Sequence, residues 1–128
     1  MNSAAFNRAS GPIIVGAEVT GSAGSVVLKL LLDTGATTSL INLSTLVSLG
    51  FDPDQSPKRV TVMTGSTLEV VPLVILTRFS ALGQNRVGFP VLAHTLPSGS
   101  AVDGLLGLDF FRNQLLAIDF RVGSITLS

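Results

Sequence analysis

Short runs of β-branched residues and leucine recur along the chain, broken by clusters of Gly, Pro, Ser and Asn at intervals of roughly 8 to 12 residues, a spacing that predicts a mostly-β fold. Residues 13–19 and 25–32 flank Gly21-Ser22-Ala23-Gly24 and read as a hairpin whose second strand runs directly into Asp33. A short helix is predicted next: Asn42 is placed to cap it, Leu43, Leu46 and Val47 share one face, and Gly50 is placed to stop it after about two turns. Beyond a loop at 52–57, residues 59–63 and 67–71 form a second hairpin turning at Thr64-Gly65-Ser66, a candidate for a mobile cover. A third pair, 73–79 and 86–93, surrounds Gly83-Gln84-Asn85, and the chain breaks again at Pro97-Ser98-Gly99-Ser100. A second short helix is expected after Gly107, and strands at 115–120 and 124–127 close the chain around Arg121-Val122-Gly123.

A chain of 128 residues fits one domain. We divide it into an N-terminal extension at 1–12, expected to be flexible, and a folded domain at 13–128. Apolar residues make up 46% and charged residues 12%, enough for a sizeable core but too little charge to coat a surface, so part of the apolar area is expected to be covered by a partner. Eight basic and eight acidic residues cancel, which removes the broad field that would draw in nucleic acid, an anionic membrane or a strongly acidic substrate. The absence of cysteine rules out disulfides, thiolate metal sites and a cysteine nucleophile, and leaves the compartment open. Residues 1–10 hold no apolar stretch long enough for a signal peptide, and the charge-free run at 34–51 is too rich in Thr, Ser and Asn to span a bilayer. The segment is expected to be soluble, whether alone or as the soluble part of a longer, anchored protein.

The richest stretch chemically is Leu30-Leu31-Leu32-Asp33-Thr34-Gly35-Ala36-Thr37-Thr38-Ser39, an apolar strand that delivers an acid into a turn of small residues. Burying a carboxylate costs several kcal/mol unless it is hydrogen-bonded or neutralised. The neighbouring hydroxyls and the Gly35 backbone are suitable donors, so the turn reads as a holder for Asp33.

Asp33-Thr34-Gly35-Ala36 after an apolar strand resembles the signature of aspartic peptidases, above all the retropepsin-like family of retroviruses and bacteria. Leu105-Leu106-Gly107 before a short helix matches the family's apolar-apolar-Gly motif, and the hairpin tipped by Gly65 stands where the family carries its flap. The resemblance runs from about Ile13 to Leu127 and implies a single-domain, mostly-β acid protease fold: a closed, barrel-like sheet with a hairpin flap and one or two short helices. It implies an aspartic endopeptidase in which Asp33 is catalytic, Thr34 and Gly35 support its loop, and Met63, Thr64, Gly65 and Ser66 close over a peptide substrate. Ala36, Thr37, Leu105 and Leu106 would line its subsites. Such a reaction needs two carboxylates, one to take a proton from water and one to protonate the departing amine. One Asp-Thr-Gly in a chain of this length therefore implies a homodimer about a twofold axis, whose chain ends, around Ile13 and 124–128, are candidates for interleaving. Thr37 and Thr38 stand where retroviral enzymes often place acids, and Leu108-Asp109 replaces their Arg-Asn, which aligns the chain with the bacterial branch.

Other polar residues have plainer readings. Asp103 and Asp109 are expected to satisfy loops and helix ends, Asp103 having the lesser option of reaching a subsite. His94 reads as a satisfied loop residue without partners for a serine triad. Asp52 and Asp54 read as a solvated turn, because the remaining ligands of a calcium loop are missing, and no metal or cofactor is expected. Arg78, Arg86, Arg112 and Arg121 read as scattered surface residues, one of them a candidate partner for an acid at a dimer contact. A phosphoryl-transfer enzyme would need long alternating helices, a second acid two residues after Asp33, or a P-loop, and the chain has none of these. The remaining rival is the same fold used to bind an extended peptide, or to dimerise, without turnover.

Overall fold

The computed structural model describes residues 2–9 and 11–128. Ten strands and two short helices follow in order: β1 (Asn2–Ala5), β2 (Ile14–Gly21), β3 (Gly24–Leu32), β4 (Leu40–Asn42), α1 (Leu43–Ser48), β5 (Arg59–Thr64), β6 (Thr67–Ala81), β7 (Gln84–His94), β8 (Gly104–Leu106), α2 (Leu108–Phe111), β9 (Leu116–Asp119) and β10 (Ser124–Leu127). A single 3-10 turn, Pro53–Gln55, lies between α1 and β5, with Asp52 Oδ1 accepting from the Asp54 amide at its start. None of the described helices is long and apolar enough to cross a membrane.

The fold is mostly β, built on a closed barrel of six strands. Hydrogen bonding runs β2-β3-β8-β4-β7-β6 and returns to β2, where Val19 faces Phe79. Side chains alternate across the wall as a half-buried strand requires: Val15, Ala17 and Val19 point inward from β2, Glu18 outward. β8 threads between β3, to which it is parallel, and β4, to which it is antiparallel. Inside, Phe79 stacks on Phe89 with centroids 4.9 Å apart, and Phe110 meets Phe79 edge to face at 5.5 Å. Arg86, expected at the surface, lays its guanidinium 4.6 Å from the centre of the Phe110 ring and donates to that residue's carbonyl at 3.1 Å. Its long stem and planar charge are satisfied at the core's margin, an arrangement that residue type alone does not reveal.

Several elements depart from the sequence expectations. The second and third hairpins share one strand: β6 runs unbroken for 15 residues, and Pro72 marks where it changes partner. Residues before that point pair with β5, ending at Arg59 opposite Pro72, and residues after it pair with β7, beginning at Leu73 opposite Leu92. A proline has no amide hydrogen to give to a ladder, so the handover falls where none is needed. Helix α1 begins after Asn42 as expected, but the Asn42 side chain does not cap it; Oδ1 accepts from the Leu96 amide at 3.2 Å instead. Of the helix's apolar residues Leu46 is fully buried, whereas Val47 is 55% exposed. The first hairpin turns on two residues, Ser22 and Ala23. At the other end, β1 arises inside the segment set apart as an extension and pairs with β10, which also pairs with β9 to make a separate three-stranded sheet. Both edges of β10 are thus filled from within its own chain.

Candidate active site

Strand β3 ends at Leu32, and the Asp33 amide donates to the Leu106 carbonyl of β8 at 2.9 Å, so the parallel β3–β8 pairing carries on into the acid. Asp33 is half-buried. Its Oδ1 accepts from the Gly35 amide at 2.9 Å, and its carbonyl accepts from the Ala36 amide at 3.1 Å, closing a tight turn around Thr34 and Gly35. Gly35 leaves the carboxylate room: a Cβ there would stand 3.2 Å from Asp33 Oδ1. Thr34 and Gly35 are themselves exposed.

The loop from Asp33 to Ser39 lies along the segment from Leu106 to Asp109. Leu108 and Asp109 amides donate to the carbonyls of Ala36 at 2.8 Å and Thr37 at 3.2 Å. Gly107 is required for this approach, because a Cβ would come within 2.7 Å of the Ala36 carbonyl oxygen. Ser39, fully buried, accepts from the Gly107 amide at 2.9 Å and donates its hydroxyl to Asp109 Oδ1 at 2.7 Å, while its amide donates to Asp109 Oδ2 at 2.9 Å.

Three residues past Asp33 opens a cavity of about 510 Å³ lined by Ala36, Thr37, Thr38, Leu40, Val60, Thr61, Val62, Met63, Leu92 and Leu105. Among the described residues no charged side chain lines it. Its outer wall is β5, the first arm of the hairpin that turns at Gly65 and Ser66, where Gly65 adopts φ +64°. Ala36, Thr37, Met63 and Leu105 of the sequence expectations therefore meet at one cavity. Gly65 and Ser66 lie at the hairpin tip outside the lining, and the Thr64 side chain falls outside the described residues. Leu106 does not join them. Neighbours on a strand face opposite sides, so with Leu105 turned to the cavity Leu106 is fully buried in the core.

The polar residues given plainer readings fall elsewhere. Asp103 clasps Lys29 through backbone and side chain, with Oδ2 accepting the Lys29 amide at 2.8 Å. His94 ends β7 and places Nε2 3.2 Å from Glu69 Oε2 on β6. Neither lines the cavity beside Asp33, and His94 belongs to a separate cavity of about 740 Å³ between α1 and the stem of the hairpin. Sequence reasoning missed Ser39, which reads as one more hydroxyl in a Thr/Ser run, together with its bond to an acid 70 positions away. It also missed Val60, Val62 and Leu92, whose inward turn toward the cavity depends on strand register.

Residues 15–110 match the profile of the aspartyl protease family. The chain belongs to that family. Two solved structures of the family's kind share its fold. A retropepsin-like aspartic protease from Rickettsia conorii aligns over 98% of this chain and 87% of its own, with a TM-score of 0.70 and 21% identity. The retroviral protease-like domain of Ddi1 from Leishmania major aligns over 93% of this chain and 90% of its own, with a TM-score of 0.62 and 18% identity. No curated protein matches the sequence. The family match spans both the Asp33 loop and the Leu105-Leu106-Gly107 segment that lies along it.

Proposed function

We propose that the chain is an aspartic endopeptidase that works as a homodimer, each copy supplying one Asp33. The observation that carries this reading is a half-buried carboxylate held on one oxygen by the Gly35 amide, at the end of an apolar strand and beside an uncharged cavity walled by a hairpin. Family membership supports the same chemistry. With two Asp33 carboxylates adjacent, repulsion between like charges keeps one proton shared between them. The ionised partner takes a proton from water as it attacks the scissile carbonyl, and the protonated partner hydrogen-bonds that carbonyl and then protonates the departing amine. Water is the nucleophile, so the scheme calls for no metal and no cofactor.

In this reading Thr34 braces the paired loops, and Gly35 lets a substrate backbone approach without a side chain in the way. The β5–β6 hairpin acts as a flap: Met63 and the backbone of Thr64, Gly65 and Ser66 cover an extended peptide and exclude water. Ala36, Thr37 and Leu105 receive its side chains. The absence of charge from the cavity favours apolar ones, since an ion there would lose hydration without gaining a partner.

The test is hydrolysis of an unbiased peptide library from about pH 3 to pH 7, at several protein concentrations, with wild type and Asp33→Asn. Cleavage by wild type alone, rising in specific activity with concentration and blocked by a statine-like mimic of the transition state, is the expected result. A folded wild type that binds peptides yet cuts none across this range replaces the enzyme with a peptide-binding module.

A further inference from the structure

We infer that Ser39 and Asp109 are the positioning pair for Asp33, an inference that rests on reading Asp33 as the catalytic group. Among the described residues Ser39 is the polar side chain buried completely, and a hydroxyl in that position is costly unless it is hydrogen-bonded. Its hydrogen and one of its lone pairs are engaged, and these bonds, with that of the Ser39 amide, run between the Asp33 loop and the segment that begins α2. The Asp109 carboxylate grips Ser39 twice, by amide and by hydroxyl, and such charge-assisted bonds are stronger than neutral ones.

The placement gives this grip its leverage. The near end of the loop is fixed by the Asp33 amide on Leu106, and the middle by Ala36 and Thr37 carbonyls on Leu108 and Asp109. The far end is held by Ser39, whose hydroxyl also fixes the Gly107 amide. Asp33 itself is oriented by one bond from within the loop, the Gly35 amide. Its direction therefore follows the shape of the loop, and slack at Ser39 passes into the one group that has to meet its twin. Misplacement of reacting groups by about 1 Å costs on the order of a hundredfold in rate, so the pair acts on turnover more than on substrate affinity.

Asparagine at 109 keeps part of this arrangement: it can still take the Ser39 amide, but the Ser39 hydroxyl hydrogen loses the acceptor it has in Asp109. Its Nδ2 donates instead to the Ser39 hydroxyl oxygen, which has a second lone pair for the Gly107 amide. Alanine at 109 leaves the buried Ser39 amide and hydroxyl without that partner.

The experiment compares the full chain as wild type, Asp109→Ala, Asp109→Asn, Ser39→Ala and the double variant Ser39→Ala/Asp109→Ala. Amide exchange at Gly35, Ala36 and Leu108 is followed by NMR with Leu76 as a core reference, and kcat and KM are measured on a peptide that wild type cleaves. Expected are exchange at those three amides faster by about tenfold or more at an unchanged Leu76, kcat lower by roughly tenfold to a hundredfold at a KM within about threefold, and recovery of part of the loss in Asp109→Asn. The double variant should be no worse than the worse single one. Asp109→Ala with wild-type exchange and kcat overturns the inference, as does Asp109→Asn being as damaging as Asp109→Ala. If Asp109→Ala fails to fold, Ser39→Ala and Asp109→Asn still decide. A wild type that cleaves nothing removes the catalytic reading of Asp33, while the exchange measurements still show whether the pair holds the loop.

Discussion

Gly104 lies so close to Leu40 that a Cβ on the glycine would sit 2.0 Å from the Leu40 carbonyl oxygen. The same atom would stand 3.0 Å from the Ile41 Cα and 3.1 Å from a methyl of Leu30. β8 threads between β3 and β4 only because position 104 has no side chain. Gly104→Ala should force these strands apart and destabilise the barrel by about 3 kcal/mol, the upper range for overpacking. Gly65→Ala is the control: nothing lies within 4 Å of that position, and the left-handed backbone alone should cost about 1 to 2 kcal/mol. Urea denaturation midpoints of the two variants, at equal m-values, check the ranking.

Phe110 is the hub of the core. It meets Phe79 at 5.5 Å, Phe111 at 5.6 Å and Phe89 at 6.0 Å, and carries Arg86 on its face. Truncation to alanine should cost about 3 to 5 kcal/mol, a large share of the roughly 5 to 15 kcal/mol that a domain of this size commands. Arg86→Ala should cost nearer 1 kcal/mol, chiefly through the lost stacking. Thermal and urea unfolding of both variants would separate the two contributions.

Met63 is 72% exposed yet lines the cavity beside Asp33. A carboxylate introduced there disturbs little of the fold but puts charge into a cavity lined by none. Met63→Asp should raise KM for peptides with apolar side chains about tenfold, equivalent to about 1.4 kcal/mol, and leave the unfolding midpoint within error. Steady-state kinetics alongside a denaturation curve test both halves; an unchanged KM would mean that the cavity receives no part of the substrate.

Asp119 has its carboxyl held below the usual carboxylate range, first by the Arg121 side chain and then by the Arg121 amide, which donates to Oδ1 at 2.8 Å. A carboxyl depressed in the folded state stabilises it at pH values above the unfolded group's, and that contribution disappears as pH falls through the folded value. Arg121→Ala should move the Asp119 titration upward toward the usual range. A carbon-13 NMR titration of the side chain reads this directly. Because Arg121 is exposed and Asp119 partly so, the change in stability should be small and weaken further with salt.

Much of the fold was legible because hairpins announce themselves at both ends: β2 with β3, β5 with the start of β6, and β9 with β10 all lie within about two residues of where turn residues and apolar runs set them. Asp33 stood out for the same local reason, an acid directly after three leucines. What escaped depends on partners far away in the chain. β4 is three residues long and is a strand only because β7 and β8 flank it, and β1 exists through its pairing with the opposite end of the molecule. Leu105 and Leu106 are chemically alike, and only the register of β8 on β3 decides which one faces the cavity. Ser39 and Asp109 are each unremarkable until the fold brings them within 2.7 Å.

Pro72 gives β6 the character of two members joined end to end. On one side of it the strand is a stave of the barrel, bonded to β7 and β2; on the other it is bonded to β5. Residue 72 contributes no amide hydrogen, so the change of partner falls where the strand has one donor fewer to place. The Leu73 amide still reaches the Lys58 carbonyl just ahead of β5, so the arm that walls the cavity beside Asp33 is an outgrowth of the barrel's own strand and not a loop laid upon it.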